Sequence, residues 1–264
     1  MRFLIALTLL GSALAGPRSP SRIVGGSPTN IETYPYMSVM QRTSIGFFWS
    51  LSCGGSLLTS TSILSAAHCF YGDQLWQWRS VLGTSTAHSG GTVHPLSRII
   101  MHPEYDDPMI NNDVAIVKLS SPAVSSDRIK IAKIPGPNYI LPDGAAVTHI
   151  GWGRLWTGGP TSEQLMHVQV NVINQQLCAE RYAYLKTQPR FEHWPDITDG
   201  MVCAGILDVG GKDACGGDSG GPLAQFGDII VGVTSWGFEC ADAFYPGVSA
   251  RVTYFSNWIT ANAN

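Results

Sequence analysis

A serine bracketed by glycines is the chain's first chemical signal, in Gly216-Gly217-Asp218-Ser219-Gly220-Gly221-Pro222. Glycines let backbone N–H groups approach a reacting carbonyl with no Cβ in the way, and they reach dihedral angles that other residues avoid. The stretch proposes an exposed nucleophile, Ser219, in a hydrolase; the bland reading is an ordinary glycine-serine turn. A serine hydroxyl is a poor nucleophile until a base takes its proton, and the base needs a third group to fix its tautomer and stabilise its charge. The chain must therefore supply a histidine and a carboxylate. His68 stands in Ser65-Ala66-Ala67-His68-Cys69, where small residues admit close packing and the adjacent cysteine can pin the backbone. Asp113 stands at the mouth of the apolar run Val114-Ala115-Ile116-Val117-Lys118-Leu119, where a carboxylate can sit semi-buried beside a histidine.

Chain order separates the rival readings. Gly217 to Gly221 also fits the G-x-S-x-G elbow of α/β-hydrolases, which needs the order serine, acid, histidine. No histidine follows Ser219, so an esterase of that fold has no base. The order aspartate, histidine, serine is weak too, because the first aspartate is Asp73, after His68. The order His68, Asp113, Ser219 is left.

The elements that must hold these residues read as all-β. Apolar stretches at 62–66, 114–119, 146–150 and 229–235 are each bounded by Gly, Pro, Asp or Ser. Residues 120–142, rich in Pro and Ser, suit a linker between two similar halves. The tail alone, 252–261, reads as a helix, with Phe255, Trp258 and Ile259 on one apolar face. The chain has 264 residues, of which 13% are charged, and a net charge of -3, so no polybasic face for nucleic acid or a membrane surface is expected. Neither a C-x-x-C pair nor H-E-x-x-H spacing occurs, and we expect no metal site and no cofactor.

Arg2, the apolar run from Phe3 to Leu10 and Ala13-Leu14-Ala15 have the pattern of a secretory signal over 1–15, too short for a membrane anchor. All six cysteines, Cys53, Cys69, Cys178, Cys203, Cys215 and Cys240, lie beyond it, so three disulfides are expected in an extracellular protein. Their pairing is open among 15 connectivities.

Ile23-Val24-Gly25-Gly26, Ala66-Ala67-His68-Cys69, Asn112-Asp113-Val114-Ala115, Gly151-Trp152-Gly153, the Ser219 heptapeptide, Ser235-Trp236-Gly237 and Pro246-Gly247-Val248 follow one another along the chain. Together they resemble the trypsin-like serine proteases of the chymotrypsin family. The resemblance implies two six-stranded antiparallel β-barrels packed around a catalytic cleft, about 23–125 and 136–250, with a C-terminal helix about 252–262. It implies that Ser219 attacks the scissile carbonyl, that His68 moves the proton, that Asp113 orients His68, and that the Gly217 and Ser219 N–H groups form an oxyanion hole. Ser235 would support Asp113, and the Ser235-Trp236-Gly237 backbone would pair with substrate. Asp213, six residues before Ser219, would floor an S1 pocket for Arg or Lys, with Gly237 and Gly247 as open walls. The implied disulfides are Cys53–Cys69, Cys178–Cys203 and Cys215–Cys240.

Residues 16–22 end in Arg22. By the same resemblance, cleavage there would free the Ile23 ammonium to pair with Asp218, so a zymogen capable of slow self-activation is expected. No Asp or Glu lies between Asp73 and Glu104, and we expect no calcium site in that loop. Arginine outnumbers lysine 11 to 5, compatible with secretion into an alkaline digestive lumen, since Arg keeps its charge where Lys begins to lose it. The expected partners are protein and peptide substrates with Arg or Lys at P1 and protein protease inhibitors, met by a monomer. The alternatives are a catalytically silent binding or decoy protein and a processing protease of an extracellular cascade.

Overall fold

A computed structural model describes residues 24–264. The expected signal over 1–15, the pro-segment over 16–22 with Arg22, and Ile23 lie outside the described residues. The strands in chain order are β1 (Ser27–Pro28), β2 (Met37–Arg42), β3 (Ser50–Thr59), β4 (Ser62–Ser65), β5 (Trp78–Leu82), β6 (Thr92–Met101), β7 (Ala115–Leu119), β8 (Ala146–Gly151), β9 (Met166–Ile173), β10 (Met201–Gly205), β11 (Pro222–Gln225), β12 (Ile229–Trp236) and β13 (Gly247–Arg251). Two helices join them, α1 (Gln175–Lys186) and α2 (Val252–Ala263).

Alternation of side chains explains how these strands close. On β9, Met166, Val168, Val170 and Val172 point inward while Gln169 and Asn171 face solvent, as a period of two requires. Six antiparallel strands close the first barrel in the order β2-β3-β4-β7-β6-β5, with β5 returning to β2. The second runs β8-β9-β10-β13-β12-β11 and returns to β8, with β1 added on β9. Closure leaves neither barrel an open edge for aberrant pairing. The first barrel buries Val39, Ile63, Leu64, Ile116 and Val117, and the second buries Val147, Val168, Val170, Leu223 and Val231. Each such side chain contributes about 1.5–3 kcal/mol.

The helix expected over 252–261 runs to Ala263, with Phe255 and Ile259 buried. The expectation that only the tail is helical is corrected by α1. Its Asn174 side chain accepts a hydrogen bond from the Leu177 N–H at 3.0 Å, a standard N-cap that starts the helix. Only Cys178, Tyr182 and Leu185 of α1 are buried, so most of its surface is polar and carries no strong periodic signal. No helix among the described residues is long and apolar enough to cross a membrane.

The segment 120–142 joins the barrels and is bonded to both. Ala132 N–H donates to Leu57 O on β3, and Lys133 N–H donates to Asp228 O beside β12. Elsewhere the barrels meet at glycine. A Cβ on Gly54 of β3 would lie 3.0 Å from the Gly221 Cα, and the Gly54 N–H donates to Ser219 O at 2.8 Å. Trp152, buried between the barrels, donates from Nε1 to Ser85 O at 3.0 Å. These contacts seat the Ser219 turn of the second barrel on the first.

Candidate active site

Asp113 lies two residues before β7, where the apolar run beginning at Val114 carries it into the interior and leaves its side chain 1% exposed. Burying a carboxylate is costly unless donors replace its water. Three do so. The His68 N–H donates to Oδ1 at 2.8 Å, His68 Nδ1 lies 2.6 Å from Oδ2, and the Ser235 hydroxyl donates to Oδ2 at 2.5 Å. With Nδ1 held by Asp113, Nε2 is the ring nitrogen free to exchange a proton with a reacting group. Burial opposes charge on His68, but the Asp113 carboxylate, bonded to the ring, and the field of Asp107 outweigh it, so its pKa is raised above the ordinary value.

Ser219 Oγ makes no hydrogen bond to His68 among the described residues, so these two side chains are gathered without being bonded. Backbone contacts gather them. Gly54 holds Ser219 O, while neighbouring Cys53 is disulfide-bonded to Cys69, next to His68. There is no room for a Cβ on Gly220, which packs against Ser65 and the Ala66 N–H. Hydrogen bonds of this kind are often long in a free enzyme and tighten around substrate. Cys53, His68 and Cys69 also cluster closely enough to suggest a metal, but the two sulfurs are bonded to each other and offer no thiolate.

Gly217 has φ +100°, a conformation open to glycine, and neither the Gly217 nor the Ser219 N–H donates to another group among the described residues. The turn between them is fixed by Asp218. Its buried carboxylate accepts from the Gly153 N–H at 2.7 Å and the Cys215 N–H at 3.0 Å. Burial pushes Asp218 up to about 6 against the pull of those donors. A Cβ on Gly151 or Gly153 would collide with this carboxylate, which accounts for the Gly-Trp-Gly spacing.

Beside Ser219 opens a cavity of about 200 Å³ lined by Asp213, Ser235, Trp236, Gly237 and Gly247. Asp213 is buried, accepting from the Ala214 N–H at 2.8 Å and the Ala241 N–H at 3.2 Å. Burial, with the nearby Asp218 charge, pushes it up to about 7 despite those donors. A Cβ on Gly247 would press on the Asp213 carboxylate, whereas one on Gly237 meets only ordinary contacts beyond 3.5 Å. Packing thus explains Gly247; the bareness of Gly237 keeps the cavity mouth wide. The Cys215–Cys240 disulfide links the Ser219 turn to this wall, and Tyr182 braces it from behind, donating to Pro246 O at 2.7 Å and accepting from the Phe238 N–H at 3.2 Å. The third bridge, Cys178–Cys203, ties α1 to β10.

A protein-family model described as trypsin matches residues 23–259. The chain belongs to the trypsin family. It is 46% identical to alkaline trypsin B and 45% identical to alkaline trypsin A of Manduca sexta, in both cases over the full length of each chain. It is also 46% identical to trypsin CFT-1 of Choristoneura fumiferana, again over both whole chains. It is a trypsin-like serine endopeptidase with the two-barrel fold expected of that resemblance, and the three disulfides pair as the resemblance implied. Two residues of this trypsin-family site have no sequence motif. Tyr182 lies on the unrecognised α1, and His149 lies within the apolar strand β8, yet both stand against the cavity. Strand alternation alone could have turned His149 inward, next to Val147 on the same face.

Proposed function

We propose that the chain is a secreted precursor which, once cut between Arg22 and Ile23, hydrolyses peptide bonds after Arg or Lys. Ser219 attacks the scissile carbonyl, His68 takes its proton and returns it to the leaving amine, and Asp113 holds His68 in the productive tautomer. The Gly217 and Ser219 N–H groups receive the developing oxyanion; losing one such donor typically costs about 2.7–4 kcal/mol. The freed Ile23 ammonium pairs with Asp218, a buried carboxylate whose raised pKa marks the want of a cation, and so sets the Gly217 amide and the cavity wall. Ser235, Trp236 and Gly237 offer an extended substrate a strand edge.

The observation that carries the P1 assignment is the buried Asp213 carboxylate at a cavity shared with Ser219, with no Lys or Arg bonded to it among the described residues. A long cationic side chain entering past Gly237 would supply the missing charge. The excess of Arg over Lys, 11 to 5, and relatives named alkaline trypsins support a digestive role in an alkaline lumen. The test is hydrolysis of short Arg, Lys and Phe substrates by protein cleaved after Arg22. We expect kcat/KM for Arg and Lys to exceed that for Phe by at least about 100-fold. Turnover of Phe substrates alone would overturn the role of Asp213, and no turnover of any would favour a silent binding protein.

A further inference from the structure

One titratable side chain at the cavity has no part in the hydrolysis described above. His149 on β8 is 2% exposed and lines the same cavity as Asp213 and Ser219. Its Nδ1 lies 3.2 Å from Thr234 Oγ1 on β12. Its Nε2 is buried without a hydrogen-bond partner among the described residues, and Asp213 Oδ1 is 3.9 Å away. The residues paired with His149 on the adjoining strands, Val168 of β9 and Leu223 of β11, offer the ring no polar side chain. A buried polar atom left unpartnered is destabilising, which a small approach to Asp213 would relieve.

The other ionisable groups about this pair are few. Asp218 is buried and opposes negative charge on Asp213, Glu239 is exposed at the cavity wall, Tyr182 is held by Pro246 and Phe238, and Lys212 is exposed beside Asp213 in the chain. None of them bonds to the carboxylate or to the ring.

Taking Asp213 as the P1-binding carboxylate, on which the inference rests, we propose that His149 is a specificity-determining residue that makes a proton and the P1 cation compete for the Asp213–His149 pair. In the empty cavity the Asp213 carboxyl keeps a proton and donates it to Nε2, while Nδ1–H donates to Thr234. An arriving guanidinium or ammonium needs the carboxylate, so the proton leaves to solvent as the cation binds. Burial pushes Asp213 up to about 7 and pulls His149 down to about 4, which puts the proton on the carboxyl and leaves the ring neutral. The sign follows. Below the pKa of the paired carboxyl, which burial already brings to about 7 without the ring, cation binding must displace a proton and weakens about tenfold per pH unit; above it, affinity is level. Preference for a charged over an uncharged P1 residue therefore grows as the pH rises.

The experiment uses the activated protein and benzamidine, a rigid cation, as the probe. Calorimetry in buffers of different ionisation heat should show about one proton released per benzamidine bound near pH 6 and none near pH 9. In His149→Leu the protonated carboxyl loses its acceptor, so the fall in affinity should begin about one pH unit lower than in the wild type, with less proton release at the pH where the wild type begins to weaken. In His149→Gln, which restores an acceptor that does not titrate, the wild-type profile should return. A His149→Leu profile superimposable on the wild type, in protein with an intact thermal transition, would overturn the coupling while the P1 assignment stands. Failure of benzamidine to bind the wild type at any pH would remove the P1 assignment itself, and the coupling with it.

Discussion

Asp113 is the most heavily bonded side chain at the site, and its third donor is the one that can be removed with least disturbance. The Ser235 hydroxyl shares Oδ2 with His68 Nδ1, drawing charge from the oxygen that faces the ring. A hydrogen bond to a charged group contributes about 1.5–3 kcal/mol, so Ser235→Ala should lower kcat by roughly ten- to a hundredfold. A purely structural role would stop there. If the hydroxyl tunes the carboxylate, its loss leaves more charge on the oxygen that faces the ring and makes His68 easier to protonate. The acid limb of the pH–rate profile, which requires neutral His68, should then move further in the direction in which Asp113 already raises the ring's pKa. An unmoved acid limb would reduce Ser235 to packing.

Among the elements, β3 sets the distance between Ser219, the proposed nucleophile, and His68, the proposed base. Gly54 presents its N–H to Ser219 O and leaves space for Gly221, so Gly54→Ala puts a methyl group 3.0 Å from backbone that cannot swing aside. The Ser219 turn must shift, and a displacement near 1 Å can cost about 100-fold in rate. We expect kcat to fall by roughly that factor while KM for an Arg substrate changes little; equal rates in the variant would show that the barrels slide freely here. The same elements show what sequence made legible. Ser219, His68 and Asp113 stand out because each is embedded in small or apolar neighbours that close packing requires, whereas Asp213 is picked out only by the family resemblance, six residues before Ser219. Gly151 and Gly153 are visible as a motif, but their reason, the Asp218 carboxylate against both Cα atoms, exists only in the folded chain. The helix α1 escapes because three buried residues in a polar dodecamer carry too weak a period, and its capping Asn174 looks like any loop asparagine. His149 escapes because a lone histidine in an apolar strand carries no spacing to test.

On the scale of the whole molecule, α2 crosses back from the second barrel to the first. Ser62 Oγ and Lys118 Nζ, on β4 and β7, donate to Ala263 O at 2.6 and 2.9 Å, tying the helix end to the first barrel. Phe255 and Trp258 pack on the His102 ring at 5.3 and 5.0 Å between centroids, and the His102 N–H donates to Val114 O, next to Asp113. Truncating a fully buried isoleucine costs about 2–5 kcal/mol, so Ile259→Ala should lower the Tm by roughly 4–20 °C. A Tm unchanged within error would mean that the helix contributes nothing to the core it covers. The position of α2 also bears on how the protein comes into being. The helix is translated after every strand, yet it buttresses the segment that carries the acid of the first barrel. Until α2 docks, that segment lacks its final support and the cleft stays unfinished.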